Sequence, residues 1–323
     1  MIPTRLHRGI PGAGSPRIPE FVLLLVTIVW GGTFLVSQIA LRDGDPFGLL
    51  LVRFTIGALT LAFVFRRRMR GLTRAEVSAG AVIGLAAFGS FAFQTTGLQY
   101  IASSKSAFLT ALYVPIVPLL QLGLLGVAPR LSAWLGITVS FTGLIVLSWG
   151  EGIGFALGFG EWLTLGGALL AALQIILISR WAPRSDPLRL ATVQLVVIAG
   201  LSLLAIPLAG EPWPAPTASF ATAAVALGVL GSAFAIAAMN WAQRTVSATR
   251  ATIIYAMEPV WAGVFGAIAG EAMTALTITG SSLIIAGILV SEIRVDRLLA
   301  PRAAARREAE ILSAAQSGRG TGD

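Results

Sequence analysis

Long uncharged stretches constrain this chain more than any other feature of its sequence. Nine segments of 18 or more residues carry one charge at most, and a tenth behaves in the same way. Each matches the roughly 20 residues that a helix needs to cross a hydrocarbon core about 30 Å thick. Only 12% of the 323 residues are charged and 56% are hydrophobic, whereas a soluble domain has about 25% charged and about 45–50% apolar residues. The sequence therefore predicts an all-α integral membrane protein with ten transmembrane helices.

The predicted spans lie on these segments and are separated by charged or turn-forming residues. Their bounds are 21–41, 46–65, 77–98, 106–127, 131–149, 162–179, 190–208, 220–241, 251–269 and 272–291. The first span follows several arginines, as a cleaved signal sequence does, but it is long for such a segment and further spans follow it. We therefore treat it as the first transmembrane helix.

Basic residues alternate between the predicted loops. The leader, the tail and the loops at 66–74, 130, 180–189 and 244–250 hold 20 of the 23 lysines and arginines. Because loops rich in Lys and Arg stay on the cytoplasmic side, both termini are predicted to face the cytoplasm, in agreement with an even number of spans. The pattern indicates a multi-pass protein of the cell membrane. It does not indicate nucleic-acid binding, since no aromatic platform accompanies the basic residues. The run at 66–68 sets orientation, with lipid recognition as a lesser role.

Several kinds of chemistry lack the residues that they need. The chain has no cysteine, and its one histidine, His7, lies in the polar leader. Disulfides, thiolate metal sites and Ser-His-Asp catalysis are therefore poorly supported. No GxxxxGK[ST] run is present to hold a nucleotide phosphate. The sequence predicts no catalytic residue, no metal and no cofactor.

An internal repeat divides the chain into two halves. The matching positions lie 141 residues apart near the start of each half and 144 apart later: Glu20 and Glu161, Asp45-Pro46 and Asp186-Pro187, Pro115 and Pro259, Gly126 and Gly270, Gly136 and Gly280, and Gly143 and Gly287. Such recurrence in register is more than composition supplies. It predicts five-helix repeats at 20–150 and 160–292, between a cytoplasmic leader at 1–19 and a cytoplasmic tail at 293–323. Because five is odd, the second repeat must be inverted, the plan on which secondary transporters place a binding site near the midplane.

Proline lies near the middle of the fourth and ninth spans, at Pro115 and Pro259. Each proline frees a backbone carbonyl, which lipid tolerates only where the carbonyl faces protein or a water-lined cavity. These positions are predicted helix kinks. They are compatible with kinks that serve packing alone and with kinks that line a binding site.

Short motifs recur in a fixed order along the predicted spans. They are Trp30-Gly31-Gly32-Thr33-Phe34, Arg53, Phe93-Gln94-Thr95-Thr96-Gly97-Leu98-Gln99-Tyr100, Ser106-Ala107-Phe108-Leu109-Thr110, Pro115, Glu258-Pro259, Glu271, Gly280 and Gly287. Together with ten spans and the repeat, this order resembles the ten-helix EamA-type members of the drug/metabolite transporter superfamily. The resemblance covers residues 20–292. It implies a secondary carrier of small metabolites, commonly an exporter of amino acids or related amphipathic compounds, with substrate among the first, third, fourth, sixth, eighth and ninth spans.

Two charged residues lie deep inside the predicted spans. Arg53 is the one basic residue there, and a buried charge costs at least about 2.5 kcal/mol on insertion scales unless it finds a partner or water. It is compatible with an anchor for an anionic substrate and with a structural hydrogen-bond hub. Glu258 is the one acidic residue inside a span. It is a proton-coupling candidate, because burial favours a neutral carboxyl group, or a carboxylate fixed by Arg53 or by backbone near Pro259.

Polar and aromatic residues in these spans complete the predicted substrate site. They are Trp30, Thr33, Gln94, Tyr113, Gln174, Asn240 and Tyr255. A pocket for an amphipathic solute needs aromatic walls and a few amide or hydroxyl groups, although helix–helix hydrogen bonds and interfacial anchoring explain each residue as well. The expected partners are a small-molecule substrate, the lipid bilayer and protons, and the expected state is a monomer. The rival interpretations are a passive channel, a multidrug efflux carrier and, less favoured, an intramembrane transferase.

Overall fold

A computed structural model of the chain describes residues 17–126, 131–149, 157–214 and 217–292, and the regular elements within these ranges are helical. The helices are α1 (Arg17–Ala40), α2 (Pro46–Val64), α3 (Arg66–Met69), α4 (Arg74–Gly97), α5 (Ser103–Thr110), α6 (Tyr113–Leu125), α7 (Leu131–Trp149), α8 (Phe159–Trp181), α9 (Pro187–Ala209), α10 (Ala218–Ala226), α11 (Ala235–Ala242), α12 (Ala248–Tyr255), α13 (Glu258–Ile268) and α14 (Ala275–Glu292). A π-helical segment, Leu227–Phe234, joins α10 to α11.

Eight helical stretches within the described ranges are long and apolar enough to cross a membrane. They are Ile18–Ala40, Pro46–Val64, Arg74–Gly97, Ser103–Leu124, Phe159–Arg184, Pro187–Ala209, Ala218–Ala242 and Arg250–Ile268. Each overlaps one predicted span. The predicted fifth and tenth spans correspond to α7, a helix of 19 residues, and α14, a helix of 18 residues. The predicted leader, 1–19, and the tail, 293–323, lie almost entirely outside the described residues.

The fourth and ninth stretches are each divided into two short helices. The first breaks at Ala111 and Leu112, between α5 and α6, and the second breaks at Ala256 and Met257, between α12 and α13. Pro115 and Pro259 follow these breaks by three residues or fewer. A proline nitrogen cannot donate to the carbonyl four residues earlier. The Val114 N–H bonds the Ala111 carbonyl instead, at 3.0 Å.

The π-helical segment interrupts the eighth stretch, and the sequence did not predict it. There the chain passes close to α2, because a Cβ added at Gly228 would lie 2.8 Å from the Arg53 carbonyl oxygen. A Cβ at Gly57 would lie 3.1 Å from the Gly228 carbonyl oxygen. The two backbones therefore touch through glycine. Such π segments are frequent at functional sites and carry no simple hydrophobic period.

Helices α7 and α14 pack directly against each other through the glycines of the repeat. A Cβ added at Gly143 would lie 2.6 Å from the carbonyl oxygen of Gly280, and one added at Gly287 would lie 2.6 Å from that of Gly136. Each contact is the repeat-related image of the other, because 136 matches 280 and 143 matches 287. Such an exchange is the pattern of a two-fold interface, and small residues let membrane helices approach this closely.

The two ends of the bundle differ in charge. The arginine-rich end, which we define by the start of α1, the 66–74 and 180–189 loops and the start of α12, carries the ion pairs Arg189–Glu76 and Arg68–Asp186, both at 3.4 Å. The opposite end carries the starts of α2, α5 and α8. There the Glu211 carboxylate accepts hydrogen bonds from the backbone N–H groups of Phe47 and Gly48.

Candidate functional site

A small cavity lies among helices from both predicted halves. Its volume is about 50 Å³, which is room for one or two water molecules at about 30 Å³ each. The lining residues are Trp30, Thr33 and Phe34 of α1, Ser90, Phe91 and Gln94 of α4, Thr110 of α5, Tyr113 of α6, Ala171, Gln174 and Ile175 of α8, Met239 of α11 and Glu258 of α13. These are the six spans for which the resemblance implies substrate contact.

The structure brings six of the predicted site residues to this cavity and leaves three behind its wall. The six are Trp30, Thr33, Gln94, Tyr113, Gln174 and Glu258. The three are Arg53, Asn240 and Tyr255, which do not line it. Sequence position alone did not separate the two groups, because all nine lie in apolar spans.

Glu258 meets Tyr113 across the two helix breaks. The Tyr113 hydroxyl donates to the Glu258 carboxylate at 3.2 Å, and Glu258 is 6% exposed. The neighbouring Tyr255 ring lies 5.6 Å from Trp30 and 6.5 Å from Tyr113, measured between ring centroids. The Tyr255 hydroxyl accepts a hydrogen bond from Gln243 at 3.1 Å. An aromatic cluster thus surrounds a buried carboxyl group whose hydrogen-bond partner comes from the other half.

The Trp-Gly-Gly-Thr-Phe motif of α1 connects this cluster to the π-helical segment. The Trp30 indole N–H donates to the Gly231 carbonyl oxygen at 3.1 Å. A Cβ added at Gly31 would lie 2.6 Å from the Trp261 Cβ and 3.0 Å from the Glu258 carbonyl oxygen. The glycine therefore lets α1 lie directly on α13. This contact holds Trp30 over the cavity.

Arg53 lies beside the cavity wall and does not form an ion pair with Glu258. Its Nε donates to the Ser232 hydroxyl at 3.2 Å, and its guanidinium lies 4.8 Å and 5.3 Å from the ring centroids of Phe54 and Phe91. The residue is 2% exposed, and its Nη2 lacks a hydrogen-bond partner. The possibility that Arg53 fixes the Glu258 carboxylate is therefore not what the structure contains. One donor of Arg53 is left over, next to Phe91 of the cavity wall.

Asn240 serves helix packing rather than the cavity. Its side-chain oxygen accepts from the Gln194 amide at 2.9 Å, and its own amide donates to the Ile236 carbonyl oxygen at 2.8 Å. Asn240 and Gln194 are both fully buried. The pair joins α9 to α11, as expected for interhelical hydrogen bonding in membranes.

Several cavity residues were not predicted. Ser90 donates to the Gly167 carbonyl oxygen at 2.9 Å, and Thr110 accepts from the Gln94 amide at 3.2 Å. Ser90 lies four residues before Gln94, which places both on one helix face. That spacing is the signal that would have found Ser90. Phe91 and Met239 have no such signal, because apolar residues surround them in the sequence.

A buried ion pair closes the opposite end. The Lys105 ammonium lies 2.6 Å from the Glu161 carboxylate, and the two side chains are 5% and 4% exposed. Beside it the Glu271 carboxylate accepts from the backbone N–H groups of Ser103 and Ser104, both at 3.1 Å, which caps α5. At this end burial raises the pKa of Glu211, while the two backbone N–H donors of α2 act against that rise.

A second ion pair lies at the arginine-rich end, in an equivalent place. Arg250 at the start of α12 pairs with Glu20 in the first turn of α1, just as Lys105 at the start of α5 pairs with Glu161 in the first turn of α8. Here the side chains are 60% and 25% exposed. One end is therefore sealed by a buried pair and the other by a hydrated one.

The described residues contain no group of three or more His, Asp or Glu side chains that could hold a metal ion. The cavity offers hydroxyl, amide and indole groups, one carboxyl group and apolar walls. This arrangement suits reversible binding of a small polar or amphipathic solute.

Comparison with known proteins identifies the family. The model of the EamA-like transporter family matches residues 17–149 and again residues 158–292. The chain belongs to the EamA-like transporter family. An uncharacterized transporter of Archaeoglobus fulgidus is 30% identical over 285 residues, which are 84% of this chain and 85% of that protein. The uncharacterized inner membrane transporter YedA of Escherichia coli K12 is 28% identical over 263 residues, which are 80% of this chain and 85% of YedA.

A solved crystal structure shares the EamA-like fold of this chain. The TM-score is 0.66 at 21% sequence identity, with 89% of this chain and 99% of the other covered. The sequence-based prediction of family is thus confirmed. The EamA-like chain is a multi-pass membrane transporter.

Proposed function

We propose that this protein is a secondary active transporter that moves small metabolites across the cytoplasmic membrane by alternating access. Its substrates are amino acids or related amphipathic compounds, and the direction is export. It works as two inverted repeats, 20–150 and 160–292, each with five transmembrane helices, and α7 and α14 are the fifth and tenth of these. Both termini face the cytoplasm, which places the arginine-rich end there.

Three observations support two inverted repeats. The family model matches the chain twice. Gly126 and Gly270, which are 144 residues apart, both have left-handed backbone, with φ of 67° and 88°. The contacts between α7 and α14 exchange under the same register. Opposed repeats of this kind rock against each other around a central site.

The observation that carries the proposal is the closed cavity around Glu258. Residues of both repeats line it, and its volume of about 50 Å³ is far below the roughly 300 Å³ or more of a ligand pocket. A carrier needs such an occluded arrangement between its two open ones. The Lys105–Glu161 and Glu20–Arg250 pairs lie at repeat-related places, so breaking one while the other forms is a natural device for opening one end at a time.

Glu258 carries the coupling proton in this scheme. It is buried, contacts Tyr113 of the other repeat and lies at a helix break. A carboxyl group in this position gains a proton when the cavity closes and loses it when water enters. Trp30, Thr33, Gln94, Tyr113 and Gln174 orient the substrate, and the free Nη2 of Arg53 supports an anionic substrate group after a small movement of Phe91.

Counterflow in proteoliposomes tests this function. Labelled amino acids and related metabolites are offered to the wild type and to Glu258→Gln, with and without a pH gradient. The matched control is Glu211→Gln, a buried carboxyl group at the far end of the bundle. Saturable exchange, driven by the pH gradient and lost only in Glu258→Gln, is the expected result.

Other outcomes favour the rival functions. Flux that neither saturates nor shows counterflow indicates a channel, and exchange of structurally unrelated cations indicates multidrug efflux. Equal exchange by Glu258→Gln and the wild type overturns the coupling role of Glu258.

Labelling tests the orientation. Because the chain has no cysteine, single cysteines at Glu151 and Glu211 should react with an impermeant reagent from outside, whereas one at Gly71 should not. Labelling of all three positions contradicts the ten-span arrangement.

A further inference from the structure

A long apolar groove lies on the side of the bundle, away from the central cavity. Its volume is about 660 Å³. It is lined by Val22 of α1, Thr60, Leu61, Val64 and Phe65 of α2 and its end, Arg68 of α3, Pro187 and Leu188 of α9, Val229, Ala233 and Phe234 of the π-helical segment, Ala237, Ala238 and Trp241 of α11, and Arg244. Three alanines among these residues leave the depression that larger side chains would fill.

Two arginines mark one end of the groove. Arg68 and Arg244 are both exposed and belong to the arginine-rich end. Arg244 forms no ion pair with any residue that the structure describes. Arg68 reaches Asp186 at 3.4 Å with its side chain 58% exposed, and such a surface pair contributes about 1 kcal/mol at most. Both guanidinium groups are therefore accessible to an anion.

The groove has the length of a lipid acyl chain. It extends from Arg244 back to Val229, which are 15 residues apart along nearly continuous helix. At 1.5 Å per residue this is about 22 Å, somewhat more than half of a hydrocarbon core about 30 Å thick. One end is cationic and the rest is apolar, apart from the Thr60 hydroxyl, which donates to the Ile56 carbonyl oxygen.

We propose that this groove binds one anionic phospholipid, with its phosphate between Arg68 and Arg244 and one acyl chain along the alanine floor. Basic pockets between transmembrane helices on the cytoplasmic side hold anionic headgroups in this way. The lipid contacts α1, α2 and α11 together. It therefore fixes the π-helical segment, whose Gly231 carbonyl holds Trp30 over the central cavity.

The occupant is a lipid and not a water-soluble anion, because most of the lining is apolar. It is not the predicted C-terminal tail either, since that tail is rich in arginine and would meet two further arginines.

Thermal stability of the purified protein in neutral detergent tests the proposal, and native mass spectrometry counts the bound lipids. The probes are phosphatidylglycerol, phosphatidylcholine with the same chains, and inorganic phosphate. The variants are R68Q/R244Q, V64W, which narrows the apolar part at a position 62% exposed, and the matched control R67Q, an arginine of the same loop outside the groove.

Phosphatidylglycerol should raise the melting temperature of the wild type and of R67Q, with one lipid retained. Its apparent affinity should fall about 30-fold in R68Q/R244Q, because each arginine near an anionic headgroup contributes about one kcal/mol. V64W should lose the lipid while keeping both charges. Equal effects of phosphatidylcholine, equal effects of inorganic phosphate, or an equal loss in R67Q would each overturn the proposal. Detergent removes any dependence on membrane orientation, so this result stands apart from the transport and labelling tests.

Discussion

The two end-closing ion pairs should differ strongly in their contribution to stability. Lys105 and Glu161 are almost completely buried, with 2.6 Å between Nζ and Oε1. Replacing Lys105 by Met leaves the Glu161 carboxylate buried without this partner, and breaking a buried pair in this way costs about 3–5 kcal/mol. Arg250 and Glu20 are 60% and 25% exposed, so Arg250→Met should cost no more than about 1 kcal/mol.

Reversible unfolding in mixed detergent micelles measures both effects as changes in the free energy of unfolding. The double variant K105M/E161Q removes both charges and should recover most of the loss, since replacing a whole buried pair by neutral groups is often nearly neutral. R250M/E20Q should resemble R250M. Equal small losses in K105M and R250M would refute the conclusion that one end is sealed and the other hydrated.

Further substitutions test the packing. Gly143→Leu should destabilise the protein by about 1–3 kcal/mol, because its Cβ meets the Gly280 backbone, whereas Gly123→Leu, with open space around it, should not; thermal unfolding in detergent compares the two, and equal losses would exclude tight α7–α14 packing. Asn240→Leu should cost about 1–3 kcal/mol by leaving Gln194 buried without its partner. The double variant with Gln194→Leu should then recover stability in a double-mutant cycle, and additive losses would contradict a direct pair.

Hydropathy and charge spacing predicted most of the fold. The eight apolar stretches overlap eight predicted spans, and the bounds of α7 agree with the prediction, because uncharged length and flanking charge are properties that one sequence displays. The glycine register also led to residues that meet in the structure, such as Gly143 and Gly280. Repeat-related glycines are visible in sequence because close helix approach admits few alternatives.

The site was predictable only in part. Trp30, Gln94 and Glu258 stood out because polar or indole groups in apolar spans need partners. Which side of a helix each residue occupies depends on how the helices rotate against one another, and hydrophobic all-round spans carry no amphipathic signal for that rotation. Asn240 therefore fell outside the cavity. Phe91 fell inside it without any distinguishing pattern.

The ion pairs were missed for a similar reason. Lys105 and Glu161 lie at span ends, where charged residues are ordinary. Their sequence separation is 56 residues, so only the packing of α5 on α8 brings them together.

Distances across the two ends during transport test the central claim most directly. Spin labels on cysteines at Ala102 and Trp162 report the opposite end, and labels at Phe21 and Met257 report the arginine-rich end, all in a chain without native cysteine. These positions are exposed and flank the two ion pairs. Alternating access predicts that substrate or a pH change lengthens one distance while shortening the other. Distances that change together, or that do not change during saturable exchange, would contradict it.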